Sequence, residues 1–141
     1  MSHPNLELID RFFAAYGNRD LRALQEVLDE NAVWTFPGHH ALSGTHRGID
    51  ALVAFFDAMG RVMASAQPTV EKLVLGVHDQ YVVECQQIRT NRADGPNLDQ
   101  QLCVLWRFAN GKIASGCHLA ADQDALDAFY ATLPLHRPEG I

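Results

Sequence analysis

Asn110-Gly111 sits between two apolar-rich runs, residues 98–109 and 112–120, and no other dipeptide in the chain restricts the fold as tightly. A two-residue hairpin turn of type I′ needs positive φ at both central positions, and Asn-Gly is a pair that tolerates it well. The two runs are therefore expected to lie side by side as antiparallel strands. Two more runs rich in β-branched and aromatic residues precede them, at 69–77 and 81–92, so the chain after Pro68 reads as a four-stranded meander.

The first half carries a different period. Leu6, Ile9, Phe13 and Tyr16 recur at helical spacing and stop at Gly17-Asn18. Asp20 is placed to cap a short second helix, with Leu21, Leu24 and Leu28 on one face, that ends near Asp29. Residues 32–36 read as a strand halted by Pro37-Gly38, and a loop with His39, His40 and His46 follows. From Ile49 the apolar positions Leu52, Val53, Phe56, Met59 and Met63 trace a third helix. Asp122 opens a last helix carrying Leu126, Phe129 and Tyr130, which Pro134 ends. Helices followed by a curled sheet define an α+β class, with the helices on one face of the sheet. A chain of 141 residues has room for one ordinary core, so residues 1–141 are expected to form a single domain with its core at 6–130 and a short C-terminal tail.

The net charge is −6 and the lysines and arginines are scattered, which leaves no footprint for a phosphate backbone or an anionic bilayer. Neither nucleic acid nor membrane is expected as a partner. No stretch approaches the roughly 18 apolar residues of a membrane span, and the N-terminus lacks a basic segment followed by an apolar run. A cytoplasmic location is the resulting expectation. Cys85, Cys103 and Cys117 are odd in number and widely spaced, which fits reduced packing residues better than a disulfide framework. His39, His40 and His46 are poor metal ligands as a set, because adjacent histidines do not easily point at one ion and no thiolate or carboxylate completes the group. They read as a polar loop. A phosphate-binding glycine loop, G-x-S-x-G and H-E-x-x-H are all missing, so no metal or organic cofactor is expected.

Two stretches carry a resemblance. Residues 32–38, Ala-Val-Trp-Thr-Phe-Pro-Gly, and 42–48, Leu-Ser-Gly-Thr-His-Arg-Gly, resemble the signature segment of SnoaL-like proteins in the nuclear-transport-factor-two-like superfamily. Gly111-Lys112-Ile113, leading into Asp122-Gln123 and Ala125-Leu126-Asp127, is similar to that family's final strand and closing helix. The resemblance implies a cone whose wide end opens as a pocket between the curled sheet and the first and third helices. It also implies a two-fold homodimer through the outer sheet face, where Val82, Ile88, Cys103, Leu105, Cys117 and Leu119 are expected to present apolar side chains.

Isomerases, epoxide hydrolases, cyclases and plain binding modules share this fold, so function rests on the site. By alignment of the motifs, the base, tyrosine and acidic partner of ketosteroid isomerases fall at Phe36, Phe12 and Val104, and three apolar residues cannot run that chemistry. Limonene epoxide hydrolases need an Arg-x-Asp pair on a middle strand, where this chain has Val83-Glu84-Cys85-Gln86-Gln87, and an Asp on the last strand, where it has His118. SnoaL-type polyketide cyclases demand less. A poly-carbonyl substrate has an acidic C–H of its own, and one positioned acid/base group can serve an intramolecular aldol closure. His118 is the candidate for that group, since an imidazole exchanges protons near neutral pH.

Strand alternation is expected to turn Ala114, Gly116, His118 and Ala120 toward the cone. On the neighbouring strands the resemblance puts Val83, Cys85, Gln87 and Arg89, and Leu102, Val104, Trp106 and Phe108, on the inner face. The expected site is then His118 as catalytic acid/base, within a ligand-binding lining of Phe12, Trp34, Phe36, Phe56, Val104 and Trp106, with Gln87 and Arg89 as polar contacts. Two functions remain open. One is a cofactor-independent acid/base enzyme, cyclase-like or isomerase-like, acting on a mostly apolar carbonyl compound. The other is a non-catalytic ligand-binding or dimerisation module with the same pocket.

Overall fold

In the computed structural model, which describes residues 3–132, the chain opens with helix α1 (Pro4–Gly17), helix α2 (Leu21–Val27) and strand β1 (Leu28–Phe36). Strand β2 (Gly44–Arg47) and helix α3 (Ile49–Ser65) follow. Strands β3 (Thr69–Val77), β4 (Tyr81–Arg89), β5 (Asp99–Ala109) and β6 (Lys112–Ala120) then lead to helix α4 (Gln123–Thr132). Local chemistry sets the boundaries. The Asp20 carboxylate accepts from the Ala23 amide at 3.1 Å and the Asp122 carboxylate from the Ala125 amide at 3.0 Å, so both act as the caps their positions suggested. Asn110 and Gly111 take φ of 54° and 75°, as the β5–β6 hairpin requires. The helix end expected at Pro134 lies outside the described residues.

The six strands form one sheet in the order β2-β1-β6-β5-β4-β3. Every neighbouring pair is antiparallel except β1 and β6, which run parallel and join the N-terminal half to the meander. Helix α3 packs on β1 and β2, and α1 on β4 and β6, so both helices cover the same concave face. The first turn of α1 is tied down at its far end, where the buried Asn5 amide donates to the carbonyls of both His78 and Asp79 at 3.0 Å in the β3–β4 turn.

Several features differ from the reading of the sequence. The loop after Phe36 contains strand β2, which pairs Val33 with Arg47 and Phe36 with Gly44. Strand β4 ends at Arg89 rather than at residue 92, because Asn97 turns the chain there: its side-chain oxygen accepts from the Arg92 amide at 2.8 Å and from the Thr90 hydroxyl at 2.9 Å. The third difference is the facing of β4. Glu84 pairs with Val104 and Gln86 with Leu102, so Val82, Glu84, Gln86 and Ile88 point inward. Val83, Cys85, Gln87 and Arg89 point outward, opposite to the expectation. A slip of one residue reverses every side chain of a strand, and β4 carries polar residues on both faces, so its alternation did not choose between them. A register shift between Arg107 and Phe108 likewise puts Ile113, fully buried, in the inward position expected of Ala114.

An aromatic knot fills the centre of the cone. The Trp34 ring lies 4.9 Å from Phe56 and 5.0 Å from Trp106, both edge-to-face, and Phe12 packs 5.4 Å from Phe56 and 5.9 Å from Trp106. Gly116 lies directly beneath Trp34: a Cβ there would overlap the six-membered half of the indole. The missing side chain is what lets the indole lie against β6.

Candidate functional site

Two cavities lie side by side along the inner face of the strands. On β5, Leu102 lines one and Val104 the other; on β4, Ile88 and Gln86 divide in the same way. The first cavity, of about 200 Å³, is bounded by Met59 and Met63 of α3, by Leu126 and Tyr130 of α4, and by Phe36 and His118. The second, of about 240 Å³, has Trp34, Phe56, Val104 and Trp106 as its apolar walls. Its polar side consists of Asp10, Lys72, Glu84 and Gln86. There Lys72 pairs with Glu84 at 3.4 Å and the Gln86 amide donates to the same carboxylate, so these groups satisfy one another.

His118 is buried, only 6% exposed, with the rings of Phe36 at 4.9 Å and Trp34 at 5.5 Å around it. The Trp34 indole N–H donates to its Nδ1 at 2.8 Å. An indole nitrogen has no lone pair to offer, so Nδ1 must be the unprotonated nitrogen and the neutral ring carries its proton on Nε2. Burial pushes the pKa down to about 4. A second ring proton would also have to displace the indole donor. Among the described residues the ring has no other hydrogen-bond partner, so Nε2–H is the free polar atom of a residue that lines the first cavity. This geometry changes the role expected of His118. A general base needs a free lone pair, and the one lone pair of the neutral ring is already engaged by Trp34. The ring is built as a neutral hydrogen-bond donor.

The other expected site residues divide. Phe36 lines the first cavity, and Trp34, Phe56, Val104 and Trp106 line the second. Phe12 is buried in the knot behind them and borders neither. Gln87 and Arg89 are corrections: both are on the outer face and both bind Asp99, Gln87 at 2.9 Å and Arg89 at 3.2 Å. The inward polar residues of β4 are instead Glu84 and Gln86, and the correct register was the signal needed to find them. His40 departs from the polar-loop reading. Its side chain is buried, stacks on Tyr130 at 4.8 Å and accepts from the Leu42 amide at Nδ1. Burial is the largest influence on its pKa and lowers it, partly opposed by the Asp127 carboxylate 3.9 Å from Nε2. His46 stacks on Phe55 at 4.5 Å. Among the described residues no three His, Cys, Asp or Glu side chains are gathered where they could hold a metal ion.

Small-molecule sites are typically concave and mostly apolar with a few placed polar groups, and the two cavities have that character. The family model for the SnoaL-like domain matches residues 9–116, and the chain belongs to that family. It is 34% identical over 130 residues to an uncharacterized protein of Mycobacterium tuberculosis, covering 90% of this chain and 96% of that one. Among solved structures it is similar to Bal32a from a soil-derived mobile gene cassette, with 30% identity, a TM-score of 0.71, and 90% and 96% of the two chains covered. TerC co-crystallized with polyporic acid shares the fold at 18% identity and a TM-score of 0.67, over 90% of this chain and 98% of that one. No helix among the described residues is long and apolar enough to cross a membrane.

Proposed function

We propose that the chain binds a compact, mostly apolar carbonyl compound in the His118 cavity and polarises its oxygen through His118 Nε2–H, with no metal or organic cofactor taking part. The observation that carries this reading is the Trp34–His118 hydrogen bond, which leaves one buried N–H facing an apolar cavity. A ligand oxygen in front of it would gain a hydrogen bond, and such bonds contribute roughly 0.5–1.5 kcal/mol net. A neutral donor suits a neutral acceptor, and no carboxylate lines this cavity to attract a cation. Its volume is below the roughly 300–1,000 Å³ of pockets for drug-sized ligands, which points to a body of one or two rings. The solved TerC structure supports a small molecule as the ligand of such a cone.

Polarising a carbonyl acidifies the neighbouring C–H, the step that cyclase and isomerase chemistry share. Removing that proton needs a base, and the lining of the His118 cavity contains no carboxylate to serve as one. That observation favours binding over acid/base turnover. A second copy of the chain, covering the outer sheet face, and a cytoplasmic location complete the reading. The test is calorimetric titration with 1-tetralone and with tetralin, a hydrocarbon of similar shape without the oxygen. Tighter binding of the ketone, lost in His118→Leu, is the expected result, and equal binding of the two by the unaltered protein overturns the proposal.

A further inference from the structure

We infer that the Tyr130 hydroxyl is the second hydrogen-bond donor of the first cavity, and that it and His118 Nε2–H grip one ketone oxygen between α4 and β6. The inference rests on the carbonyl reading above and adds a residue to it. Tyr130 lines the same cavity and is 3% exposed, yet among the described residues its hydroxyl has no hydrogen-bond partner. The hydroxyl is not sealed off, because among the described residues His40 Nε2 is the one fully buried side-chain polar atom without a partner, so the oxygen opens to space that a ligand could reach. Phenylalanine would fill the space equally well, so packing alone gives no reason for the oxygen.

The ring is held by other rings. His40 stacks on it at 4.8 Å with 22° between planes, while Phe36 and Phe129 meet it edge-on at 5.4 Å and 5.2 Å. Three contacts thus fix the direction of the hydroxyl without any hydrogen bond. Phe36 is also the spacer between the two donors, since His118 packs 4.9 Å from it on β6 and Tyr130 5.4 Å from it on α4. Burial raises the pKa of the phenol, so it stays protonated and able to donate at neutral pH.

A carbonyl oxygen has two lone pairs in the plane of its substituents and accepts two donors at once, which selects a ketone over an amine or a plain hydrocarbon. An enolate oxygen would be held more firmly still, because hydrogen bonds to a charged acceptor are roughly twice as strong. The ligand class is therefore a small cyclic or aryl ketone.

The experiment is difference infrared spectroscopy of carbonyl-labelled 1-tetralone bound to the unaltered protein, to Tyr130→Phe and to His118→Leu, with calorimetric titration of 1-tetralone and tetralin beside it. Tyr130→Phe is expected to raise the carbonyl stretching frequency and to weaken ketone binding about five-fold, leaving tetralin unchanged. Fluorotyrosine at position 130, a stronger donor of similar size, should lower the frequency instead. If Tyr130→Phe leaves the frequency and the ketone affinity unaltered while His118→Leu changes both, the Tyr130 assignment fails and the His118 reading stands. Equal weakening of ketone and hydrocarbon by Tyr130→Phe reduces the residue to packing and overturns the assignment. No preference for the ketone in the unaltered protein overturns both.

Discussion

Trp34 and His118 are joined by a 2.8 Å hydrogen bond across the interior of the cone, from the indole N–H to the imidazole Nδ1. Their strands already pair in parallel, with Trp34 opposite Gly116, so the side-chain bond is a second tie between β1 and β6. Because the indole only donates, the bond selects one tautomer. Nitrogen NMR of the labelled imidazole should show the proton on Nε2 at pH 7. Trp34→Phe should release Nδ1, populate both tautomers and raise the His118 pKa, and an Nδ1–H tautomer in the unaltered protein would refute the donor role.

Acid stability follows from the same burial. His118 has a native pKa of about 4 against an ordinary 6.5, so between those values the unfolded chain binds a proton that the native chain does not. The contribution is fully present above pH 6.5 and is lost as the pH falls to about 4. The loss is about 3 kcal/mol for this group. His118→Gln should remove it, so urea unfolding at pH 7 and pH 4.5 should show a smaller difference for the variant than for the unaltered protein. Identical pH slopes would count against a neutral buried ring.

Gly116→Ala tests the aromatic knot. A methyl group there would overlap the Trp34 indole, which Phe56 and Trp106 hold from other sides. Overpacking of a tight core typically costs about 1–3 kcal/mol, and a wedged indole belongs at the upper end. Thermal unfolding should show a clear fall in midpoint, and tryptophan fluorescence should report a moved ring. A variant as stable as the parent would mean that the indole has another place to go.

Assembly is open to a direct measurement. With Val82 and Ile88 turned inward, the outer patch consists of Val83, Cys103, Leu105, Cys117 and Leu119, the last 48% exposed. Sedimentation velocity at micromolar concentration should show a dimer, and Leu119→Lys should shift it toward monomer. Only monomer in the unaltered protein would remove the dimer from the proposed reading.

The fold was largely legible in the sequence because its strongest signals are local. Asn110-Gly111 sets one hairpin, and Asp20 and Asp122 set two helix starts, each through contacts within a few residues. The inward facing of His118 was legible for a different reason: the resemblance registers the last strand, and the alternation of Gly116, His118 and Ala120 holds beyond the irregularity at Ala114. The polar members of β4 were not. Their facing depends on which β5 residue each one opposes, and Glu84, Gln86 and Gln87 all suit either side of a strand. Tyr130 was hidden differently, because its place in the pattern Leu126, Phe129, Tyr130 marks a core position whether or not its oxygen has a partner. His40 reads as a loop histidine until Tyr130 and Phe36 are seen to enclose it.

Asn5 bears on how molecules reach the second cavity. One side-chain amide holds the start of α1 to the β3–β4 turn through two carbonyls, while Leu6, Ile9 and Asp10 of that helix and Lys72, Leu75 and Glu84 of the hairpin form opposite rims of the opening. Helix and hairpin are thereby latched together at one end, and the rims cannot part there like a swinging lid. Opening this mouth by drawing the helix away from the hairpin at that end would first have to break both Asn5 hydrogen bonds.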